Sequence, residues 1–318
     1  MRGLIAVARK LHERGVMGIN ERNAHFNLVF NERFRYPLVD DKLLTKELAI
    51  KAGAAVPKLY GVIEIQHQVQ SLAAMLESYP DFVIKPARGS QGDGVLVVIG
   101  RSGKSYRLAD GLLIDQLELE FHVSNILSGI FSLGGQTDRA MIEYRVNFDP
   151  VFERITFRGV PDIRIIVFLG VPVMAMVRLP TRAAKGKANL HQGAIGSGVN
   201  IATGRTLTAV WHDHIVSEHP DTGNPVQDVE IPHWGRLLAI AAESYELTGL
   251  GYLGIDIVLD RDLGPLILEF NARPGLNIQI ANRAGLRSRL DAVLAQRDAL
   301  KTVSERVAFA RERFTLAG

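Results

Sequence analysis

The stretch that decides the fold is Tyr252–Asn277, YLGIDIVLDRDLGPLILEFNARPGLN. Leu253, Ile255, Ile257 and Leu259 alternate with other residues, which is the period of a strand. Leu266, Ile267, Leu268 and Phe270 make a second apolar run, opened by Pro265. Arg261, Asp262, Leu263 and Gly264 supply a polar turn between the two runs. Three oxygen donors fall on this predicted hairpin: Asp256 on the first strand, Glu269 and Asn271 on the second. Glu269 and Asn271 are two apart and share one face. Pairing of the strands brings Asp256 to that face. Acceptors near a hairpin are ordinarily solvated. Here Asp256 and Glu269 sit inside apolar runs, where an unpaired carboxylate is costly. Two carboxylates and an amide oxygen make a hard site of the kind that holds magnesium beside phosphate oxygens.

Composition limits what surrounds this hairpin. The chain has 318 residues, 47% of them hydrophobic and 22% charged, enough for a substantial core split into lobes. It has no cysteine, which excludes disulfides, thiolate metal sites and a cysteine nucleophile. A balance of 37 basic to 34 acidic residues is too mild to indicate nucleic-acid binding. No apolar run approaches the roughly 20 residues of a membrane span. The opening MRGLIAVARKLHERG reads as an amphipathic helix over 1–15 rather than a signal peptide. A cytoplasmic location is expected, with neither nucleic acid nor membrane as partner; a homo-oligomer is compatible.

Upstream, residues 16–39 read as irregular, with Asn20, Asn23, His25 and Asn31 capping turns and bonding the backbone. DDKLLTKELAIKAG over 40–53 reads as a helix with an Asp cap and Gly53 at its end. Its Lys42 and Lys46 lie i,i+4 on one face, by default a solvated one. A second helix is expected near 66–78. Phe82, Val83 and Ile84 form a strand ending at Lys85 and Pro86. Glycines 89, 92 and 94 follow, then a strand over Val95–Ile99. This is neither a Walker loop nor a dinucleotide fingerprint, because no helix begins there. A glycine turn between strands is common in any fold. A lysine at an apolar strand end beside it favours closure of backbone N–H groups over phosphates. Further strands are expected at 104–109, Ala140–Val146 and 193–201, with a helix at 116–131. A hairpin is expected at 161–180, turning at Gly170, Val171 and Pro172. Residues 232–248 read as helical, and 285–316 as a basic amphipathic helix or helix pair on the outside. The histidines at 212, 214, 219 and 233 read as surface or loop residues.

The order of these pieces resembles the ATP-grasp superfamily of carboxylate–amine ligases. The pieces are Asp41-Lys42 opening a helix, Val83-Ile84-Lys85-Pro86 before a glycine loop, Ile142-Glu143-Tyr144, Asp256, and Glu269-Phe270-Asn271. Asp162-Ile163-Arg164 and Asn189-Leu190-His191-Gln192-Gly193 are similar to the ribosomal-protein glutamate ligase branch. The nearest resemblance is to the alpha-L-glutamate ligase-like proteins.

The resemblance implies an α+β fold of two lobes, with mainly antiparallel sheets holding ATP between them. It divides the chain into an N-terminal helix and extended segment (1–39), an N-terminal lobe with a glycine lid (40–146) and a C-terminal lobe with the metal site and C-terminal helices (147–318). It implies that Lys42 and Lys85 contact phosphates, and that Gly89, Ser90, Gln91, Gly92, Asp93 and Gly94 form the lid. Glu143, Tyr144, Arg145 and Val146 would be the hinge beside adenine, and Asp149 or Glu153 would meet the ribose. Asp256, Glu269 and Asn271 would hold two magnesium ions. Arg164, Asn189 and His191 would line the reacting centre. Lys187 stands where relatives often carry arginine, with Arg178 and Arg182 near enough to compensate. Only about forty residues precede Asp41, too few for the α/β domain that usually comes first.

The implied reaction joins a carboxylate to an amine, such as that of glutamate, through an acyl phosphate made with ATP. The acceptor would be a small molecule, a peptide or a protein tail. A small-molecule kinase on the same scaffold, or a non-catalytic ATP-binding module, are the alternatives. A stable phosphorylated product without amine would mark the first, and metal-independent nucleotide binding the second.

Overall fold

The computed structural model describes residues 2–89, 92–212 and 214–315. Its strands form two sheets. The first holds β1 (Leu59–Ile63), β2 (Phe82–Pro86), β3 (Leu96–Ser102), β4 (Ser105–Leu108), β5 (Leu113–Ile114) and β6 (Ala140–Glu143), in the order β1-β6-β2-β3-β4-β5. The second holds β7 (Asp162–Phe168), β8 (Val171–Leu179), β9 (Ile195–Val199), β10 (Thr206–Trp211), β11 (His214–Val216), β12 (Tyr252–Asp260) and β13 (Gly264–Asn271), in the order β11-β10-β9-β8-β7-β12-β13. All pairs are antiparallel.

Each sheet packs helices on itself because each carries an apolar face. In the first, Phe82 and Ile84 of β2 meet Leu119, Val123 and Ile126 of the helix Gln116–Leu127. Asp115 caps that helix and Glu118 reaches back to the Asp115 N–H, a reciprocal box that fixes its start. In the second, the strand β12 is buried at every residue: Leu253, Ile255, Ile257 and Leu259 join the core, and the other face carries Asp256. The helix Trp234–Thr248 lies over it, begins after Pro232 and stops at Gly249, whose φ of +66° permits the left-handed cap.

The helix Lys42–Lys51 forms as expected, its first turn capped by Asp41 Oδ1. Several boundaries move. Residues 16–39 are not irregular: they hold the short helices Ile19–Glu21 and Leu28–Phe30, a π-turn over Arg22–Asn27 and a 3₁₀ turn at Arg33–Arg35. These pieces are held by tertiary contacts. Met17, Phe26 and Val39 join the core of the second sheet. Asn31 Nδ2 donates to the Tyr252 carbonyl at 2.7 Å, and the Tyr252 N–H donates back to Asn31 Oδ1 at 2.9 Å. The predicted helix at 66–78 divides into a 3₁₀ segment Gln66–Ser71 and the helix Leu72–Leu76. The strand expected to reach Val146 stops at Glu143. The 161–180 hairpin turns at Leu169 and Gly170, both at positive φ, and Val171 and Pro172 belong to β8. Residues 285–315 hold two helices, Arg287–Gln296 and Val303–Arg313, whose Leu290, Val293 and Ala310 are fully buried; position 316 of the expected helical stretch lies outside the described residues. No helix among the described residues is long and apolar enough to cross a membrane.

The loop between β2 and β3 depends on glycine. Gly94 has φ +73°, and a Cβ there would lie 2.6 Å from Phe131 Cγ. Gly94→Ala is therefore expected to lower stability by about 1–3 kcal/mol, read as a fall in the urea midpoint.

Candidate active site

The second sheet builds the floor of the site by register. Asp162 and Arg164 are two apart on β7 and share a face. Arg178 of β8 lies opposite Asp162, Asp256 of β12 opposite Arg164, and Glu269 of β13 opposite Asp256. The result is a row of charged residues across four strands, two arginines interleaved with Asp162 and Asp256 and a second carboxylate, Glu269, at its end.

The contacts within the row are close. Arg164 forks onto Asp256, with Nε at 2.7 Å from Oδ1 and Nη2 at 2.5 Å from Oδ2. Arg178 forks onto Asp162 at 2.5 and 2.6 Å, and its Nη2 also reaches Asp256 Oδ2 at 2.7 Å. Burial alone pushes the Asp256 carboxyl toward its neutral form. Arg164 and Arg178 outweigh burial and hold it below the usual carboxylate range. Glu269 is more open, its side chain about one-third exposed, with Lys42 Nζ 3.9 Å from Oε2. Asn271 Nδ2 lies 3.2 Å from Glu269 Oε1 and 3.4 Å from Asp256 Oδ2.

The three hairpin donors thus converge on one face. Their oxygens suit a hard divalent cation, and turning the Asn271 amide over would present Oδ1 in place of Nδ2. Asp256 has the least capacity to spare. Its Oδ2 accepts from both arginines, and only Oδ1, with a single donor, keeps a free lone pair. Among the described residues no cluster of three His, Asp or Glu side chains offers a rival site.

The first sheet supplies the opposite wall. Lys42, at the start of its helix, donates to the Gly89 carbonyl. Lys85, at the end of β2, pairs with Glu143 Oε1. Glu143 Oε2 lies 2.9 Å from Lys46 Nζ. All three groups are buried: Lys46 is 6% exposed, Lys85 9% and Glu143 3%. The expected solvated face for Lys46 is therefore wrong; it faces inward and donates to the Pro57 carbonyl as well. Asp41, the helix cap, also receives Arg88 at 3.2 Å and Arg139 at 2.5 Å.

Residues 144–149 cross between the sheets. Tyr144 N–H donates to the Lys58 carbonyl at 2.8 Å, and Tyr144 Oη donates to Asp260 Oδ2 at 3.0 Å. Burial and then the Asp260 bond push the Tyr144 hydroxyl up to about 12. Arg145 clasps Asp81 through Nε at 2.9 Å and Nη2 at 2.6 Å. Val146 packs with Val258 and Leu266. Asp149 caps the turn Pro150–Ile155 through the Val151 N–H, and Glu153 pairs with Arg261 at 2.7 Å.

The loop after β8 meets the glycine loop. Lys187 Nζ lies 3.2 Å from Asp93 Oδ1, and a Cβ on Gly92 would come within 3.5 Å of Lys187 Cδ. Asn189 Oδ1 accepts from the His191 N–H at 3.0 Å, and His191 itself is exposed. Ser90 and Gln91 lie outside the described residues. Arg178, expected near enough to compensate for a lysine at 187, pairs with Asp162 and Asp256. His219 is buried rather than a surface residue. Its Nε2 lies 2.9 Å from the Pro180 carbonyl, and burial pulls its pKa down.

Two features of the site were not read from sequence. Lys46 carried a signal, since it lies one helical turn from Lys42, but its partner Glu143 is remote in the chain. Asp162 stood within the quoted Asp-Ile-Arg, yet its role emerges only once β8 is placed beside β7.

The family model described as sugar-transfer associated ATP-grasp matches residues 21–295. Curated relatives include a probable alpha-L-glutamate ligase of Azotobacter vinelandii, 24% identical over 271 residues, covering 85% of this chain and 64% of that one. A protein of the same description from Marinomonas sp. is 26% identical over 273 residues, with 85% and 64% covered. The chain thus spans less than two thirds of the length of these relatives. Among solved structures, the ATP-grasp ligase PsnB complexed with minimal precursor gives a TM-score of 0.46 at 15% identity, covering 84% of this chain and 63% of that one. D-alanine–D-alanine ligase from Bacillus anthracis complexed with ATP gives 0.45 at 13% identity, with 88% and 68% covered.

Proposed function

The chain belongs to the sugar-transfer associated ATP-grasp family, and on that premise we propose that it uses ATP and magnesium to join a carboxylate to the amine of an amino acid such as glutamate. The observation that carries this is the convergence of Glu269, Asn271 and Asp256 on one face, with Lys42 of the opposite wall 3.9 Å from Glu269. The names of the curated relatives support glutamate as the amine.

Glu269 and Asn271 would hold magnesium, with Asp256 contributing through Oδ1. Magnesium, when bound, supplies charge neutralisation across the transferring phosphates. Lys42 and Lys85 hold phosphate oxygens from the other lobe. The glycine loop around Gly92 and Gly94 would cover them, and the Lys187–Asp93 contact would tie that cover to the second lobe. Arg164 takes a second part beside the one implied by resemblance. Its Nε and Nη2 bond Asp256 and position that carboxylate, which leaves Nη1 to face the reacting centre. Asn189 and His191 remain on the loop where an acceptor carboxylate, activated as an acyl phosphate, would meet the amine. The segment 144–149 would receive the adenine and ribose.

The test is ADP release in the presence of candidate carboxylates and amines, with products weighed by mass spectrometry. A mass gain of one amino-acid residue is expected. A stable phosphorylated product without amine would replace the ligase with a kinase. Lys42→Ala is expected to weaken ATP binding about tenfold or more, the worth of one charge-assisted hydrogen bond. Calorimetry reads this directly, and an unchanged affinity removes Lys42 from the phosphate site.

A further inference from the structure

We propose that the arginine-lined cavity between the N-terminal helix Arg2–Glu13 and the two C-terminal helices binds a ligand carrying more than one phosphate group. The cavity measures about 730 Å³, and Arg14, Arg283, Arg289 and Arg313 line it with no Asp or Glu among the lining residues. None of these lining residues belongs to the candidate active site.

The pairing pattern sets these arginines apart. Nearby Arg287 is matched by Glu21 and by Asp291, and Arg306 by Glu246. The four cavity arginines have no carboxylate within ion-pair distance among the described residues. Arg289 is the most telling of them. It is 7% exposed, its Nη1 donates to the Val173 carbonyl at 2.6 Å, and its guanidinium lies 5.3 Å over the Phe314 ring. Burial pulls its pKa down to about 10, so it still carries its charge at neutral pH. A buried cation without an anion is unfavourable unless an anion arrives from outside.

Several arginines around one cavity suit phosphate rather than a lone carboxylate, because each planar fork can grip two oxygens. The remaining wall includes Leu11, Val16, Ile280 and Phe314, which would cover an apolar portion of the same molecule. The cavity is also preformed. A Cβ on Gly285 would fall 2.2 Å from the Gly15 carbonyl carbon, and the Arg287 N–H donates to the Gly15 carbonyl at 3.0 Å. This close backbone approach fixes the N-terminal helix against the helix Arg287–Gln296, so little ordering is left for binding.

The ligand could be a free phosphate compound or the headgroup of an anionic lipid, and the experiment separates them. Inorganic tripolyphosphate is titrated into the protein in the calorimeter with saturating Mg·ADP, so that the nucleotide cleft is occupied. In parallel, vesicles of phosphatidylcholine with and without phosphatidylinositol bisphosphate are sedimented with the protein. The comparison variant carries Arg14→Glu, Arg283→Glu and Arg313→Glu, all on exposed residues, with Arg289 kept and melting followed as a control of folding. Wild type is expected to bind at least one probe, and the variant to bind it about tenfold more weakly or worse. Binding of tripolyphosphate identifies a soluble ligand; binding of the bisphosphate vesicles alone identifies a headgroup. Equal binding by wild type and variant, or no binding of either probe by wild type, overturns the proposal. If the triple variant melts early, Arg14→Glu and Arg313→Glu are compared singly by the same two outcomes.

Discussion

Glu269→Gln is expected to lower turnover about a hundredfold or more while the melting temperature stays where it was. The substitution keeps the size and shape of the side chain and removes only its charge. Two neighbours and its own exposure decide why the fold should survive. Lys42 lies at the long distance of 3.9 Å and also donates to Gly89. Arg164 keeps its two bonds to Asp256, and its 4.0 Å approach to Glu269 adds little. Glu269 is itself about one-third exposed, so no buried cation is stranded. Asp256→Asn would be a poorer test. It would leave Arg164 and Arg178 facing a neutral amide in a buried site, so lost activity could follow from lost structure. Asn271→Ala is the companion variant, with the same expectation. The measurement is the ADP-release rate against magnesium concentration. A wild-type rate and magnesium dependence in Glu269→Gln would remove the metal assignment.

The hairpin was legible because a strand period of two, a polar turn and acceptors placed two apart are all local features. The register confirmed what they implied: Asp256 faces Glu269. The helix over 42–51 was legible through Asp41, whose side chain caps it. The segment 16–39 was not. Its helical turns are too short to show a period, and they exist because Phe26 and Asn31 find partners around Tyr252. The strand β10 was not among the expected elements, although TLTAVW has β-branched residues at alternate positions. The charge row was half legible. Asp162 and Arg164 share a face by arithmetic alone, but which arginine meets which carboxylate depends on strand order, which spacing along the chain does not encode.

The buried trio of Lys46, Glu143 and Lys85 carries the largest expected effect on stability. Two ammonium groups share one carboxylate in a place with little access to water. Glu143→Gln would leave both cations without an anion. The expected cost is about 3–5 kcal/mol, seen as a lower urea midpoint and melting temperature. Lys46→Met should cost less, because Lys85 and Glu143 would still balance. The pH dependence has a definite sign. Burial raises the pKa of Glu143, but Lys85 and then Lys46 more than offset it, and the net shift is downward. A carboxylate depressed in the folded state contributes stability above its unfolded value of about 4.3, and that contribution is lost as pH falls through the folded value. Wild type should therefore lose stability below about pH 4 more steeply than Glu143→Gln does. The trio also bears on phosphate binding. For Lys85 to reach a phosphate it must leave Glu143, and Lys46 at 2.9 Å keeps that carboxylate paired when it does. Lys46→Met should then hold Lys85 on Glu143 and weaken ATP affinity, although Lys46 itself is turned away toward the Pro57 carbonyl. Calorimetry of the two variants separates the roles. Unchanged ATP affinity in Lys46→Met would mean that Lys85 stays where it is and that the trio serves the fold alone.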